Sequence, residues 1–211
     1  MIIFSAVKVH EWRDAYAWHR EFCKTNDLVF PRKIEQFEEL ARLGQVFCAR
    51  EDGKLCGLVY FKKDESICTG EVAWEIGGLM VDPEHEGRGI GRTLVALALG
   101  YVLFEETPLD RGEAVLSHVH SENDDPRPIF AALKFQRKGP VEADGKDFPG
   151  LRVNDKGKVT GDELWITKPD TLKTLAEWCR TWSGKLKGQD VQLIIRDDLA
   201  TWATAFDDMA R

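Results

Sequence analysis

Glu75-Ile-Gly-Gly-Leu-Met-Val-Asp-Pro-Glu-His-Glu-Gly-Arg-Gly-Ile-Gly-Arg-Thr-Leu94 reads as a strand, a sharp turn and a glycine-rich loop that opens a helix. Ile76, Leu79 and Val81 supply the apolar strand positions. Asp82-Pro83 ends the strand, because proline offers no N–H to a ladder and restricts the residue before it. Gly87, Gly89 and Gly91 remove side chains where backbone must come close to something. A long apolar helical run follows, from Thr93 to Phe104. A glycine loop entering a helix directs unpaired N–H groups at one spot, and the helix dipole makes that spot favour an anion. A phosphate or pyrophosphate is the ligand expected there.

Two common phosphate loops do not fit. The nucleotide-hydrolase loop needs Lys-Ser/Thr after its last glycine, whereas Arg92-Thr93 follows here and the glycines are closely spaced. A dinucleotide fingerprint needs Gly-x-Gly-x-x-Gly, which Gly87-Arg-Gly-Ile-Gly-Arg92 does not give. The order strand, Val81-Asp-Pro83, Gly89-Ile-Gly91, helix with Leu94 closely resembles the coenzyme A loop of the GNAT family of N-acetyltransferases. That family's signature, Gln/Arg-x-x-Gly-x-Gly/Ala, falls on Glu86-Gly-Arg-Gly-Ile-Gly91. Glu86 is a departure: a carboxylate beside a pyrophosphate is unfavourable, and Arg88 and Arg92 stand near enough in sequence to offset it.

The upstream chain agrees with the resemblance. Gln45–Arg50 and Leu55–Lys62 are β-rich runs joined through Asp52-Gly53, a strong hairpin signal. His10–Cys23 and Ile34–Leu43 carry helical periodicity, the second through Ile34, Phe37, Leu40 and Ala41. Met1–Phe4 reads as a first strand. Downstream, Ala114–His120 is a strand, followed by Asn123, a helix near Pro128–Leu133 and a strand from Phe135. The family's tyrosine and glycine before that strand fall on Phe130 and Lys134, both departures. Gly139–Gly161 reads as a long turn-rich loop with five glycines, which the resemblance places beside the acceptor. Asp162–Lys168 is the last core strand.

Composition bounds the function classes. Hydrophobic residues are 43% and charged residues 31% of 211, as in a soluble globular chain. No apolar run reaches membrane-spanning length and no signal peptide is evident, so a cytoplasmic protein without membrane contact is expected. The five cysteines are odd in number and read as reduced packing residues. No Cys/His spacing suggests zinc or any other metal. A net charge of −7 argues against nucleic acid as a partner and agrees with a cationic substrate such as an amine.

The resemblance implies an α/β fold of the acyl-CoA N-acyltransferase type, with a mixed, splayed sheet flanked by helices. It implies acetyl-CoA as co-substrate and a small-molecule or peptide amine as acceptor. Leu79, Met80 and Val81 would hold the pantetheine. Gly87, Arg88, Gly89, Ile90, Gly91 and Arg92 would hold the pyrophosphate, and Asn123 the coenzyme arm. Glu75 falls where the family often places its general base. Between Trp74 and Ile76, it is expected to have a raised pKa. Phe130 cannot serve as the usual acid. His120 offers an acid or an amine-binding group, although a strand histidine is more often structural. His85 is expected to be exposed.

Residues 1–168 are read as the transferase domain and 169–211 as a helix-strand-helix extension. Asp170 would cap a helix running through Leu172, Trp178, Trp182 and Leu186 and ending at Gly188. Val191–Arg196 would be a strand, with Asp197 or Asp198 capping a last helix. The surplus of aromatic surface suggests packing on the core or a homodimer. N-acetylation with Glu75 as base is the leading function. A catalytically impaired acyl-CoA-binding or protein-docking module on the same fold is the alternative.

Overall fold

A computed structural model describes residues 1–106, 114–195 and 198–211. The elements run β1 (Ile2–Ala6), α1 (Trp12–Thr25), α2 (Ile34–Arg42), β2 (Val46–Glu51), β3 (Lys54–Glu65), β4 (Val72–Val81), α3 (Ile90–Tyr101) and β5 (Val115–His120). They continue with α4 (Arg127–Ala132), β6 (Phe135–Asp144), β7 (Lys158–Ile166), α5 (Lys168–Thr181), β8 (Lys185–Leu186), β9 (Gln189–Leu193) and α6 (Leu199–Met209). The strands form one mixed sheet in the order β6-β7-β5-β4-β3-β2-β1-β9-β8. Asp52 and Gly53 both adopt positive φ, 49° and 82°, as a tight hairpin turn between β2 and β3 requires.

Alternation along the strands divides the core into two layers. Phe47, Ala49, Val59, Phe61, Trp74 and Ile76 face α3, where Leu94, Val95 and Leu97 to Leu99 are fully enclosed. Val46, Cys48, Leu58, Tyr60 and Met80 face α1 and α2 with Trp12, Ala15, Phe37 and Leu40. Strict alternation would place Met80 on the same side as Ile76. It lies opposite because the β3–β4 register slips between Leu58 and Tyr60, which reverses the faces beyond the slip. Gly77 and Gly78 make the slip sterically feasible. A Cβ on Gly78 would lie 2.1 Å from the Tyr60 ring, and its φ is +58°.

β4 and β5 are parallel and pair only at Trp74–Val115 and Glu75–Leu116. Beyond that point β5 turns to β7. The main chain of β4 from Gly78 to Val81 therefore has no strand neighbour on its β5 side among the described residues. The sheet opens there into a cleft.

The C-terminal segment adds to the same sheet and core. β9 pairs parallel with β1, and Leu172, Leu175, Trp202 and Phe206 enter the α3-side layer. Trp202 sits so close to α3 that a Cβ on Gly100 would be 2.3 Å from its ring. Both apolar helix faces thus close on the chain's own core. α5 ends at Thr181 rather than running to Gly188: Trp182 turns extended (ψ 116°) and Gly184 takes φ +70°, so Leu186 joins β8. Thr167 takes the N-cap position of α5 without a side-chain cap bond, and Pro169 and Asp170 lie in the first turn. Asp198 caps α6 by accepting from Thr201 N, whereas Arg196 and Asp197 lie outside the described residues.

The long loop expected over Gly139–Gly161 is largely strand. β6 runs on to Asp144 and β7 begins at Lys158, leaving only the connection between them. Its turn-forming residues have other uses. Gly139 and Pro140 sit at a register slip on β6, the edge strand, where proline's missing N–H costs no ladder bond.

Candidate active site

The splay of β4 from β5 is the mouth of a cavity of about 410 Å³. Its walls come from the α1–α2 connection, β3, β4, the end of β5, α4 and the β6–β7 hairpin. Glu75, His118, His120, Leu79 and Asn123 all border it. The roof is stapled across two loops. The Phe30 and Phe148 rings meet edge-on at 5.4 Å, and Arg152 forms a two-toothed ion pair with Asp27 (2.7 and 3.0 Å).

Glu75 is buried on the α1/α2 side of the sheet. Trp74 and Ile76, its sequence neighbours, point into the opposite layer, so the expected apolar setting is absent. Three cationic groups surround its carboxylate instead. His118 Nδ1 lies 3.1 Å from Oε1, while Lys62 Nζ and Arg32 Nη2 lie 3.4 and 3.5 Å from Oε2. Burial pushes the pKa of Glu75 up, but the His118 hydrogen bond and the Lys62 and Arg32 charges outweigh it and hold the carboxyl at about 2. The expectation of a raised pKa is thereby corrected.

His118 is the pivot. Its Nε2 lies 3.0 Å from Glu163 Oε2. Glu163 is fully enclosed and accepts from Ser66 Oγ (2.7 Å), Trp165 Nε1 (2.7 Å) and Ile67 N (2.8 Å). Burial again pushes a carboxyl up and these donors pull it to about 2. Two ionised carboxylates only accept, so both nitrogens of His118 are placed to donate and the site favours its imidazolium form. Burial alone would lower the His118 pKa, but the bonds and charges of Glu75 and then Glu163 raise it above its ordinary value.

Behind Glu75, Arg32 is buried with its guanidinium over the Tyr60 ring, 4.5 Å from its centroid. Its Nη2 donates to Tyr60 Oη at 2.8 Å. Burial pushes the phenol of Tyr60 up to about 12, so it remains protonated. His120 lines the same cavity, but the main chain holds both its nitrogens. Nε2 donates to Arg152 O (3.1 Å) and Nδ1 accepts from Glu122 N (3.2 Å). These two bonds tie β5 to the roof, the structural use that a strand histidine more often has. Phe130 is buried edge-on against Phe135.

The glycine loop forms as its sequence demands. Asp82 Oδ1 accepts from Glu84 N (2.9 Å), and Gly89 caps α3 with φ +90°. The first intrahelical bond is Thr93 N to Gly89 O, 3.0 Å, so the N–H groups of Ile90, Gly91 and Arg92 have no helical acceptor. Glu86 is exposed, which removes its carboxylate from the loop interior. Arg88 is turned away: it grips Glu51 at 2.8 and 3.2 Å and reaches Gln189. Only its main chain remains for an anion at the loop. His85, expected in solvent, is half-buried and bonded to Glu51 at 2.9 Å. Sequence reasoning assigned no role to Arg32, Tyr60, Lys62 or Glu163. The available signal was Glu163 itself, an acid amid the apolar strand Leu164-Trp-Ile166.

A splayed sheet, a bulged strand at the splay and a glycine loop opening a helix beside it define the acyl-CoA transferase class. The profile of the Acetyltransferase (GNAT) family matches residues 9–130, more than half of the chain, and the chain belongs to that family. Mycothiol acetyltransferase of Rhodococcus jostii (strain RHA1) is 29% identical over 125 residues. That match covers 58% of this chain but only 39% of the relative's length. A GNAT acetyltransferase of Streptococcus pneumoniae superposes with a TM-score of 0.61 at 12% identity, covering 78% of this chain and 98% of that one. YncA of Salmonella typhimurium, solved with its cofactor acetyl-CoA, superposes with a TM-score of 0.60 at 13% identity over 78% and 92% of the two chains. These two likenesses show the fold. No helix among the described residues is long and apolar enough to cross a membrane.

Proposed function

We propose that the protein is an N-acetyltransferase that moves an acetyl group from acetyl-CoA to a primary amine, small-molecule or peptide, held in the 410 Å³ cavity. Residues 1–168 carry the site and 169–211 extend it. The loop N–H groups from Gly87 to Arg92 take the pyrophosphate, and the open edge of Leu79, Met80 and Val81 takes the pantetheine. Asn123 borders the arm.

One observation carries the mechanism: Glu75 and His118 line the cavity within hydrogen-bond distance of each other, and Glu163 backs His118 from the enclosed interior. A carboxylate at about 2 is a weak base alone. Above the raised pKa of His118, where that ring has given up its proton, the pair acts as a relay. The acceptor ammonium gives its proton to Glu75, which passes it to His118 Nδ1. The imidazolium so formed is the state both carboxylates stabilise. The base is therefore Glu75 with the basicity of His118. Among the described residues at the cavity, Phe130 has no proton to give the departing thiolate and the nitrogens of His120 are bonded to main chain. Water or the amine supplies that proton.

Thiol release from acetyl-CoA across a panel of primary amines tests this reading. Glu75→Gln is expected to lose most turnover while retaining coenzyme affinity by calorimetry; undiminished turnover removes Glu75 from the mechanism. Phe130 and the committed His120 favour the second reading, a coenzyme-binding module. Tight coenzyme binding with no turnover on any amine would support it.

A further inference from the structure

A second cavity, of about 620 Å³, opens directly from the glycine loop. Gly89, Arg92 and Thr93 form one wall, Ala132 and Lys134 a second, and α5 with the start of β8 the rest. Its last wall lies in the C-terminal extension, outside the region matched by the family profile. In a chain of net charge −7 this cavity is basic. Arg92, Lys134, Lys173 and Lys185 border it, against the single acid Glu177, which Arg180 occupies at 2.9 Å. Lys185 faces Asp190 at 3.4 Å. Arg92, Lys134 and Lys173 have no ion-pair partner among the described residues.

Two of the lysines near the loop stand in left-handed backbone that local structure demands: Lys187 forms the two-residue turn of the β8–β9 hairpin with Gly188, and Lys134 (φ +64°) directly follows the C-terminus of α4. A Cβ on Gly87 would lie 3.8 Å from Lys187 Nζ, which places that ammonium over the loop. Trp178 and Trp182 line the same cavity as a half-buried pair with ring centroids 5.3 Å apart. Cations and aromatic faces around one pocket suit a phosphorylated purine nucleoside.

We propose that the C-terminal extension completes the coenzyme site, binding the adenosine 3′-phosphate end of coenzyme A. Lys134, Lys173 and Arg92 hold the 3′-phosphate, Lys187 reinforces the loop's hold on the pyrophosphate, and Trp178 and Trp182 pack against the adenine. This rests on the coenzyme reading above and assigns the extension a function in it.

The test is calorimetric titration of the full chain with coenzyme A and with 3′-dephospho-coenzyme A, at low and at physiological salt. Wild type is expected to bind coenzyme A at least about tenfold more tightly, the effect of one charge-assisted phosphate contact. The double variant Lys134→Gly/Lys173→Ala should bring coenzyme A down to the affinity of the dephospho form and leave the latter unchanged. Lys134→Gly relieves the left-handed backbone, so folding is preserved, and far-UV circular dichroism checks it. Trp178→Ala should weaken both ligands alike. Equal wild-type affinity for the two coenzymes would overturn the inference while leaving the coenzyme reading intact. Binding of neither would overturn both.

Discussion

Replacing Glu75 with glutamine removes one negative charge and almost no volume, so the consequences are electrostatic. The carboxyl lies at about 2 in the folded protein, against about 4.5 for an ordinary glutamate. A depressed folded pKa means that the ionised form stabilises the fold at pH values above about 4.5. That contribution is lost as pH falls toward 2. At about 1.4 kcal/mol per pH unit, the difference is on the order of 3 kcal/mol at neutral pH. The same range is expected when one partner of a buried ion pair is deleted, roughly 3–5 kcal/mol, because the remaining charges stay buried. Here the remaining buried charge is Arg32, 3.5 Å from the lost oxygen, with half-buried Lys62 at 3.4 Å keeping Asp64 as a partner.

His118 partly relieves the imbalance. With Glu75 neutral it keeps only Glu163 as a carboxylate partner, so its raised pKa should fall. The sign for this residue is opposite. Its stabilising contribution is complete below about 6.5 and is lost as pH rises through the higher folded pKa. Two measurements follow: urea unfolding of wild type and Glu75→Gln at pH 7, pH 4 and pH 2, and imidazole titration by NMR. The variant should lose about 3 kcal/mol at pH 7, most of that still at pH 4 and little at pH 2, because the contribution disappears only as pH approaches the folded pKa of about 2, and its His118 resonance should titrate at lower pH than in wild type. Equal stability at pH 7, or a wild-type His118 titrating at or below 6.5, would refute the charge array and the relay built on it.

Turnover of wild type should climb as pH rises through the raised pKa of His118, since the relay needs that ring neutral, and His118→Gln should flatten the rise; a pH–rate series decides it. Gly78→Ala drives a methyl toward the Tyr60 ring and strains a φ of +58°. It should cost about 2–4 kcal/mol in urea unfolding and lower coenzyme affinity by resetting the bulge. Arg88→Ala should lower stability by only about 1 kcal/mol, given its half-exposed pairing with Glu51. It should leave coenzyme affinity nearly unchanged by calorimetry, because the side chain faces away from the loop.

What could be read from the chain divides by the range of the interaction. The loop was legible because proline, glycine spacing and helix onset act within a dozen residues, and the hairpin at Asp52-Gly53 for the same reason. The β6–β7 hairpin was not, because Gly139 and Pro140 signal a turn locally, and only an edge position with a register slip makes them compatible with a strand. The site failed in the same way. Period-two alternation puts Glu75 on the face opposite Trp74 and Ile76, so its sequence neighbours say nothing about its solvent. Its real surroundings come from residues 43 positions away in both directions, Arg32 and His118, and from Glu163 a further 45 along. A strand acid with apolar neighbours therefore marks a buried position from sequence alone. Whether its pKa ends above or below the ordinary value depends on which cations the topology brings to the other face, and here His118, Lys62 and Arg32 outweigh the upward push of burial.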